Sequence, residues 1–202
     1  METSIHSTSI RMERMVAFTI ALWGISAFLL GYYRLFDNTS SIFFALCIAA
    51  IQTILILLYF FNKPINDFFN GINLSTIAIL HTWRIFAGWL FISYSNVLPE
   101  AFINNAAYGD IIAGFLGISV FIFGRTKLSF YIFNIVGLID FILAVGTGIL
   151  LSLMQVQGTE LLTKLPLILI TFFGVPVSGL THVVSLVRLA KMKDIKLSER
   201  VS

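Results

Sequence analysis

Six long apolar runs alternate with short polar breaks along the 202 residues of this chain. The runs cover residues 15–33, 42–61, 72–97, 100–123, 130–153 and 165–189. A helix needs about 20 apolar residues to cross the hydrocarbon core of a bilayer, and each run is about that length or longer. The pattern therefore predicts an all-α integral membrane protein, a bundle of six transmembrane helices.

Composition agrees with this class, because 58% of the residues are hydrophobic and only 11% are charged. Soluble domains contain about 45–50% apolar and about 25% charged residues. The formal charge of +3 comes from basic residues at the ends of the runs, so the predicted partner is the lipid bilayer and not a nucleic acid. The single cysteine, Cys47, excludes an intrachain disulfide.

The first run resembles a signal anchor, because it follows Arg11 and Arg14 and no small-residue cleavage site comes after it. We therefore expect it to be retained as the first span. The predicted organisation is an N-terminal segment (1–14), one six-helix domain (15–189) and a basic tail (190–202). A basic tail next to a membrane is attracted to anionic lipid.

The fourth run is the most polar, and two interpretations of its first part remain open. Pro99 is compatible with the first turn of one continuous helix, since its missing N–H has no helical partner there. The alternative is a short interfacial or re-entrant helix that breaks at Gly109, which requires cover from protein or water. We favour the continuous helix.

Basic residues are distributed unevenly between the two sides of the predicted bundle. One side, which also carries both termini, holds ten of them: Arg11, Arg14, Lys63, Arg125, Lys127, Arg188, Lys191, Lys193, Lys196 and Arg200. The other side holds only Arg34 and Lys164. Because Lys and Arg are retained on the cytoplasmic side, this asymmetry predicts that both termini are cytoplasmic.

Several polar and ionisable residues lie inside the apolar runs, where an isolated charge costs roughly 2.5–3.5 kcal/mol. At a rise of 1.5 Å per residue, the four ionisable residues in runs three to five lie about 13–20 Å from the cytoplasmic end of their helices. The ionisable residue in run six lies at about 9 Å. This arithmetic predicts a cluster near the midplane, with the histidine of run six at its periphery. The candidate site residues are His81, Arg84, Asp110, Asn134, Asp140 and His182.

Arg84 can pair with Asp110, Asp140 or both, and the two carboxylates together leave one negative charge in excess. A second carboxylate in a low dielectric tends to take up a proton. This favours a small transporter, a channel or another proton-linked protein. A structural or assembly protein, in which the ion pairs only fix the helix packing, is the alternative.

His81 and His182 allow a further alternative, in which both are axial ligands of a haem b in an electron-transfer subunit. No other metal site is predicted, because the usual nitrogen and sulfur ligand set is absent. The chain also lacks a glycine-rich phosphate loop, a nucleophile elbow and the H-E-x-x-H motif. These absences favour a protein that is not an enzyme.

Several short motifs between Leu74 and Leu189 resemble an uncharacterised family of small bacterial integral membrane proteins. They are His81-Thr82-Trp83-Arg84, Leu98-Pro99-Glu100-Ala101-Phe102, Gly109-Asp110, Asn134-Ile135-Val136-Gly137-Leu138-Ile139-Asp140 and Gly174-Val175-Pro176 through His182. The resemblance does not extend to the first two runs. It implies a bacterial cytoplasmic membrane location and a shared polar site, but no activity.

Overall fold

A computed structural model describes residues 2–124 and 126–192, with side chains from residue 12 onward. Most of these residues are helical and none of them lies in a strand, which confirms the predicted all-α class. The predicted basic tail beyond Met192 lies outside the described residues, as do Arg125 and the side chain of Arg11.

Nine α-helices form the described part of the chain. They are α1 (Glu2–Tyr32), α2 (Ser41–Phe61), α3 (Lys63–Gly71), α4 (Leu74–Leu80), α5 (Trp83–Ser93), α6 (Glu100–Phe102), α7 (Tyr108–Phe123), α8 (Lys127–Leu153) and α9 (Val175–Lys191). Two π-helical segments, Ile103–Ala107 and Leu169–Gly174, precede α7 and α9, and a 3₁₀ turn covers Thr159–Thr163.

Six segments of the described chain are long and apolar enough to cross a membrane, as predicted. They are Met12–Tyr32, Ser41–Phe61, Leu74–Ser93, Glu100–Phe123, Lys127–Leu153 and Leu169–Lys191. The last is the most buried, with 56% of its apolar window inside the protein, whereas the first has only 11%. The sixth span is therefore central and the first is peripheral.

The sequence predicted only a break after the second run, but the structure places a short helix there. Asn62 caps α3, because its side-chain oxygen accepts a hydrogen bond from the backbone N–H of Ile65 at 3.2 Å, and Pro64 lies in the first turn. Arg188 of α9 donates to the backbone carbonyls of Phe69 and Ile72. These bonds hold the end of α3 against the sixth span.

Three of the spans are irregular, the third at its middle and the fourth and sixth near their beginning. Between α4 and α5, the amides of His81 and Thr82 bond three residues back, to Ala78 and Ile79, so the helix tightens there. The fourth span is continuous, as favoured, and its irregularity is the π-helical Ile103–Ala107, not a break at Gly109. The sixth span widens just before Pro176, which has no N–H to donate to the preceding turn.

Glycines allow the spans to approach each other closely. A Cβ atom on Gly88 of α5 would collide with the backbone carbonyl of Ala107, and one on Gly117 of α7 would meet the carbonyl of Ala78 at 2.5 Å. Small residues at such positions let membrane helices pack backbone to backbone. The third and fourth spans are thereby held at a distance at which their polar side chains meet.

Candidate functional site

Arg84 is the centre of the polar cluster. It lies midway along the third span, at the start of α5, and is 3% exposed. Its Nε donates to Asp110 Oδ1 at 2.7 Å, and its Nη2 donates to Asp140 Oδ2. Its Nη1 lies 3.1 Å from His182 Nε2. One guanidinium thus connects the third span to the fourth, fifth and sixth.

The two carboxylates reach Arg84 from different helices. Asp110 lies in the first turn of α7, directly after the π-helical segment, and Asp140 lies in the middle of α8. Asp140 Oδ1 occupies the position that a Cβ atom on residue 109 would take, so glycine is required there. Asp110 and Asp140 are 8% and 6% exposed. We call Arg84, Asp110 and Asp140 the charged half of the cluster.

His182 connects Arg84 to a second set of polar groups. Its Nδ1 lies 3.0 Å from Asn134 Oδ1, and Asn134 Nδ2 donates to the backbone carbonyl of Phe130 at 2.8 Å. Because a guanidinium can only donate, His182 Nε2 accepts from Arg84, and His182 Nδ1 therefore carries the proton that Asn134 accepts. The bonding pattern assigns a neutral imidazole to His182.

His81 contacts the same histidine from the third span. The two imidazole centroids are 4.1 Å apart, with the rings tilted by 33°. His81 Nε2 lies 3.0 Å from Thr181 Oγ1, which itself donates to a carbonyl one turn earlier, so His81 Nε2 is the donor. We call His81, Asn134, Thr181 and His182 the neutral half of the cluster.

All six residues singled out in the sequence lie in this one cluster. The expectation that His182 is peripheral is wrong, because its ring contacts both Arg84 and His81 and its side chain is fully buried. The predicted depths are those of backbone positions along straight helices. The Arg84 side chain is long enough to bridge the difference in depth and reach His182.

The geometry does not support the haem alternative. An iron with two axial histidines holds the macrocycle between them, but the rings of His81 and His182 are stacked in contact, and their Nε2 atoms face Thr181 and Arg84. Among the described residues, no group of three or more His, Cys, Asp or Glu side chains could hold a metal ion.

A cavity extends from the charged half toward the loop end of the bundle, the end opposite the chain termini. Its empty volume is about 750 Å³, including the part that is open to the outside. Arg84, Asp110 and Asp140 line its deep end, whereas Ser41 and Thr159 line the end near the loops. The charged half therefore forms the floor of this space.

Several buried polar groups near the cluster have no hydrogen-bond partner among the described residues. They are Asp140 Oδ1, His81 Nδ1, the hydroxyl of Ser178 and the side-chain amide of Gln52. Ser178 lines the cavity, and Gln52 follows Ile48 of the cavity wall by one turn of α2. Sequence reasoning did not single out Gln52, although a lone amide in the apolar run 42–61 was a usable signal.

Comparison with known proteins gives one match. The family model described as "Domain of unknown function (DUF8737)" matches residues 41–190, which include the second to sixth spans and all residues of the cluster. No curated protein and no solved structure matches the chain. The family match begins one span earlier than the resemblance seen in the motifs. The chain belongs to this family.

Proposed function

We propose that this protein is a small proton-linked membrane transporter and that its charged half binds the proton. One observation carries the proposal: two carboxylates share one arginine at the floor of a cavity inside a membrane-spanning bundle. Ionisable groups in such a position are typical of ion and substrate pathways.

The charge balance of the cluster supports a proton bound to one of its two carboxylates. Arg84 supplies one positive charge, Asp110 and Asp140 supply two negative charges when ionised, and His182 is neutral in this bonding pattern. An uncompensated charge in a low dielectric is costly, and a buried carboxylate removes it by taking up a proton. The charged half is expected to hold one proton when no other cation is present.

The irregular helices are consistent with movement around this site. Trp83, Ala106 and Thr171, which belong to or directly follow the three irregular stretches, all line the cavity. π-helical turns are frequent at functional sites, and broken helices border the binding sites of many transporters. The same three stretches would let the spans bend without unfolding.

The proposal includes a location and an orientation. We place the protein in a bacterial cytoplasmic membrane, with both termini cytoplasmic, because the basic residues are ten on one side and two on the other. The residues 15–189 then form one membrane domain between a short N-terminal segment and a basic tail. In this orientation the cavity extends toward the outer face.

Infrared titration of the purified protein in lipid tests the proposal. We expect the carbonyl stretch of one buried protonated carboxyl group to disappear as the pH is raised. Asp110→Asn and Asp140→Asn should each remove this band, because the remaining carboxylate and Arg84 then balance. Asp67→Asn, at an exposed pair with Lys63, should retain it.

A structural role is the second candidate, and it has its own supporting observation. The three nitrogens of Arg84 all have partners within the cluster, so the arginine joins four spans. If no carboxyl band titrates in the wild-type protein, the proton-linked proposal fails and the cluster is a fixed packing element.

A further inference from the structure

The walls and the floor of the cavity differ in chemistry. Its walls are largely apolar and include five aromatic side chains: Phe44, Trp83, Phe91, Phe102 and Phe141. Its floor carries the two carboxylates of the charged half. Arg84 is the sole cationic side chain among the described residues that line it.

Each of the three nitrogens of Arg84 already has a partner in the cluster. Its Nε and Nη2 are bonded to Asp110 and Asp140, and its Nη1 faces His182. An anion entering the cavity would meet two carboxylates beside a guanidinium that is already paired with both of them. A cation would instead meet the one negative charge in excess, and Asp140 Oδ1 has no hydrogen-bond partner among the described residues.

The apolar walls of the cavity favour a cation that carries hydrophobic groups. Aromatic faces attract a cation within about 6 Å, most strongly where water is excluded. Mainly apolar walls with a few polar groups are typical of small-molecule sites. The cavity has this composition, with aromatic and aliphatic walls around the charged half.

We propose that the cavity binds one hydrophobic organic cation, of the quaternary ammonium or phosphonium type, in exchange for the proton of the charged half. This inference rests on the proposed function and names the substrate class of the same site. The exchange balances charge, since one monovalent cation enters and one proton leaves Asp110 or Asp140.

Among the described residues that line the cavity, no further titratable side chain takes part in this exchange. Arg84 from α5, Asp110 from α7 and Asp140 from α8 face the site, and α2 contributes only Ser41, Phe44, Ala45 and Ile48. His182 of α9 contacts Arg84 from behind, and His81 lies beyond it. The proton that competes with the ligand therefore belongs to the carboxylates.

Two probes of similar size and opposite charge test the inference on the full-length protein in lipid nanodiscs. Tetraphenylphosphonium should bind saturably, above the level of empty nanodiscs, whereas tetraphenylborate should not. Where the site is protonated, the dissociation constant of tetraphenylphosphonium should rise about tenfold for each unit of falling pH. Asp140→Asn should abolish saturable binding.

A second pair of variants covers the case in which Asp140→Asn fails to fold. Ala144→Trp fills the cavity from α8 and should lower tetraphenylphosphonium affinity at least tenfold. Ile142→Trp places the same bulk on an exposed position of α8 outside the cavity lining and should bind as the wild type does.

The outcomes separate the two proposals. Equal binding of both probes, or binding of neither while a carboxyl band still titrates, overturns the cation inference and leaves the proton-linked function standing. Tetraphenylphosphonium binding that ignores both pH and Ala144→Trp overturns it as well. A wild-type protein without any titrating carboxyl group overturns the proposed function itself.

Discussion

The two halves of the cluster meet at Arg84 but border different surroundings. Arg84, Asp110 and Asp140 of the charged half all line the cavity, whereas no residue of the neutral half lines it. The rings of His81 and His182 instead pack against Phe133, with centroids 5.3 Å away in both cases. The carboxylates are therefore the acidic groups of the cluster that reach the cavity, and the histidines lie behind them.

The neutral half orients the guanidinium. His182 can accept from Arg84 only while its Nε2 is unprotonated, and Asn134 fixes that tautomer by accepting from Nδ1. A protonated His182 would place two cations in contact inside the bundle. The proposed function assigns a change of charge to the carboxylates and a constant charge to the neutral half, and four sets of variants can test this division.

The largest effect is expected when both carboxylates are removed. Asp110→Asn with Asp140→Asn leaves Arg84 buried without a counter-charge, which should lower the free energy of unfolding by about 3–5 kcal/mol. Each single variant keeps one ion pair and leaves no charge uncompensated, so it should change stability far less than the double variant does. Thermal and denaturant unfolding in detergent measures all three. A double variant that merely adds the two single effects would show that the carboxylates do not share Arg84.

A smaller loss of stability is expected when the helix packing around the neutral half is disturbed. Gly137→Ala on α8 places a methyl group against the imidazole of His182 and should cost about 1–3 kcal/mol, as overpacking does elsewhere. Gly146→Ala, nine residues further on the same helix, meets nothing within 4 Å and should be neutral or slightly stabilising. Equal stabilities of the two variants would contradict the close contact at His182.

The spans and the membership of the cluster could be predicted from the sequence, and its internal arrangement could not. Run length and hydropathy give the six spans, and the cost of charge in lipid predicts that Arg84, Asp110 and Asp140 come together. The place of His182 depends on how far the Arg84 side chain reaches. The tightened turn at His81 and Thr82 and the π-helical turns depend on backbone bonding that no hydrophobic pattern records.

The cavity was also beyond sequence reasoning. Its lining combines residues from the second to the sixth span, including Ile48 of α2 and Val175 of α9, which look like ordinary lipid-facing or packing residues in their runs. Which apolar side chains surround an empty space is decided by tertiary packing. The sequence could indicate a polar interior, but it could not show which residues line the cavity next to it.

Asn134 of the neutral half provides the next test of the division between the two halves of the cluster. Asn134→Ala removes the acceptor of His182 Nδ1 in a site that is 1% exposed, so a buried donor is left unpaired at a cost of about 1–3 kcal/mol. Asn105 also joins two helices, through Thr147 at 3.0 Å, but it is exposed. Asn105→Ala should cost about 0.6 kcal/mol, the usual value for an interhelical bond in a membrane protein.

The smallest effect is expected at Thr181, and it separates the two halves most directly. Thr181→Val removes the acceptor of His81 Nε2 and should lower the unfolding free energy by about 1 kcal/mol. Thr53→Val, which loses a bond only to its own helix at Ala49, should be nearly neutral. Because Thr181 does not line the cavity, the infrared titration of Thr181→Val should match that of the wild-type protein. A shifted carboxyl titration in this variant would mean that the neutral half takes part in proton exchange, and the division between the halves would then be wrong.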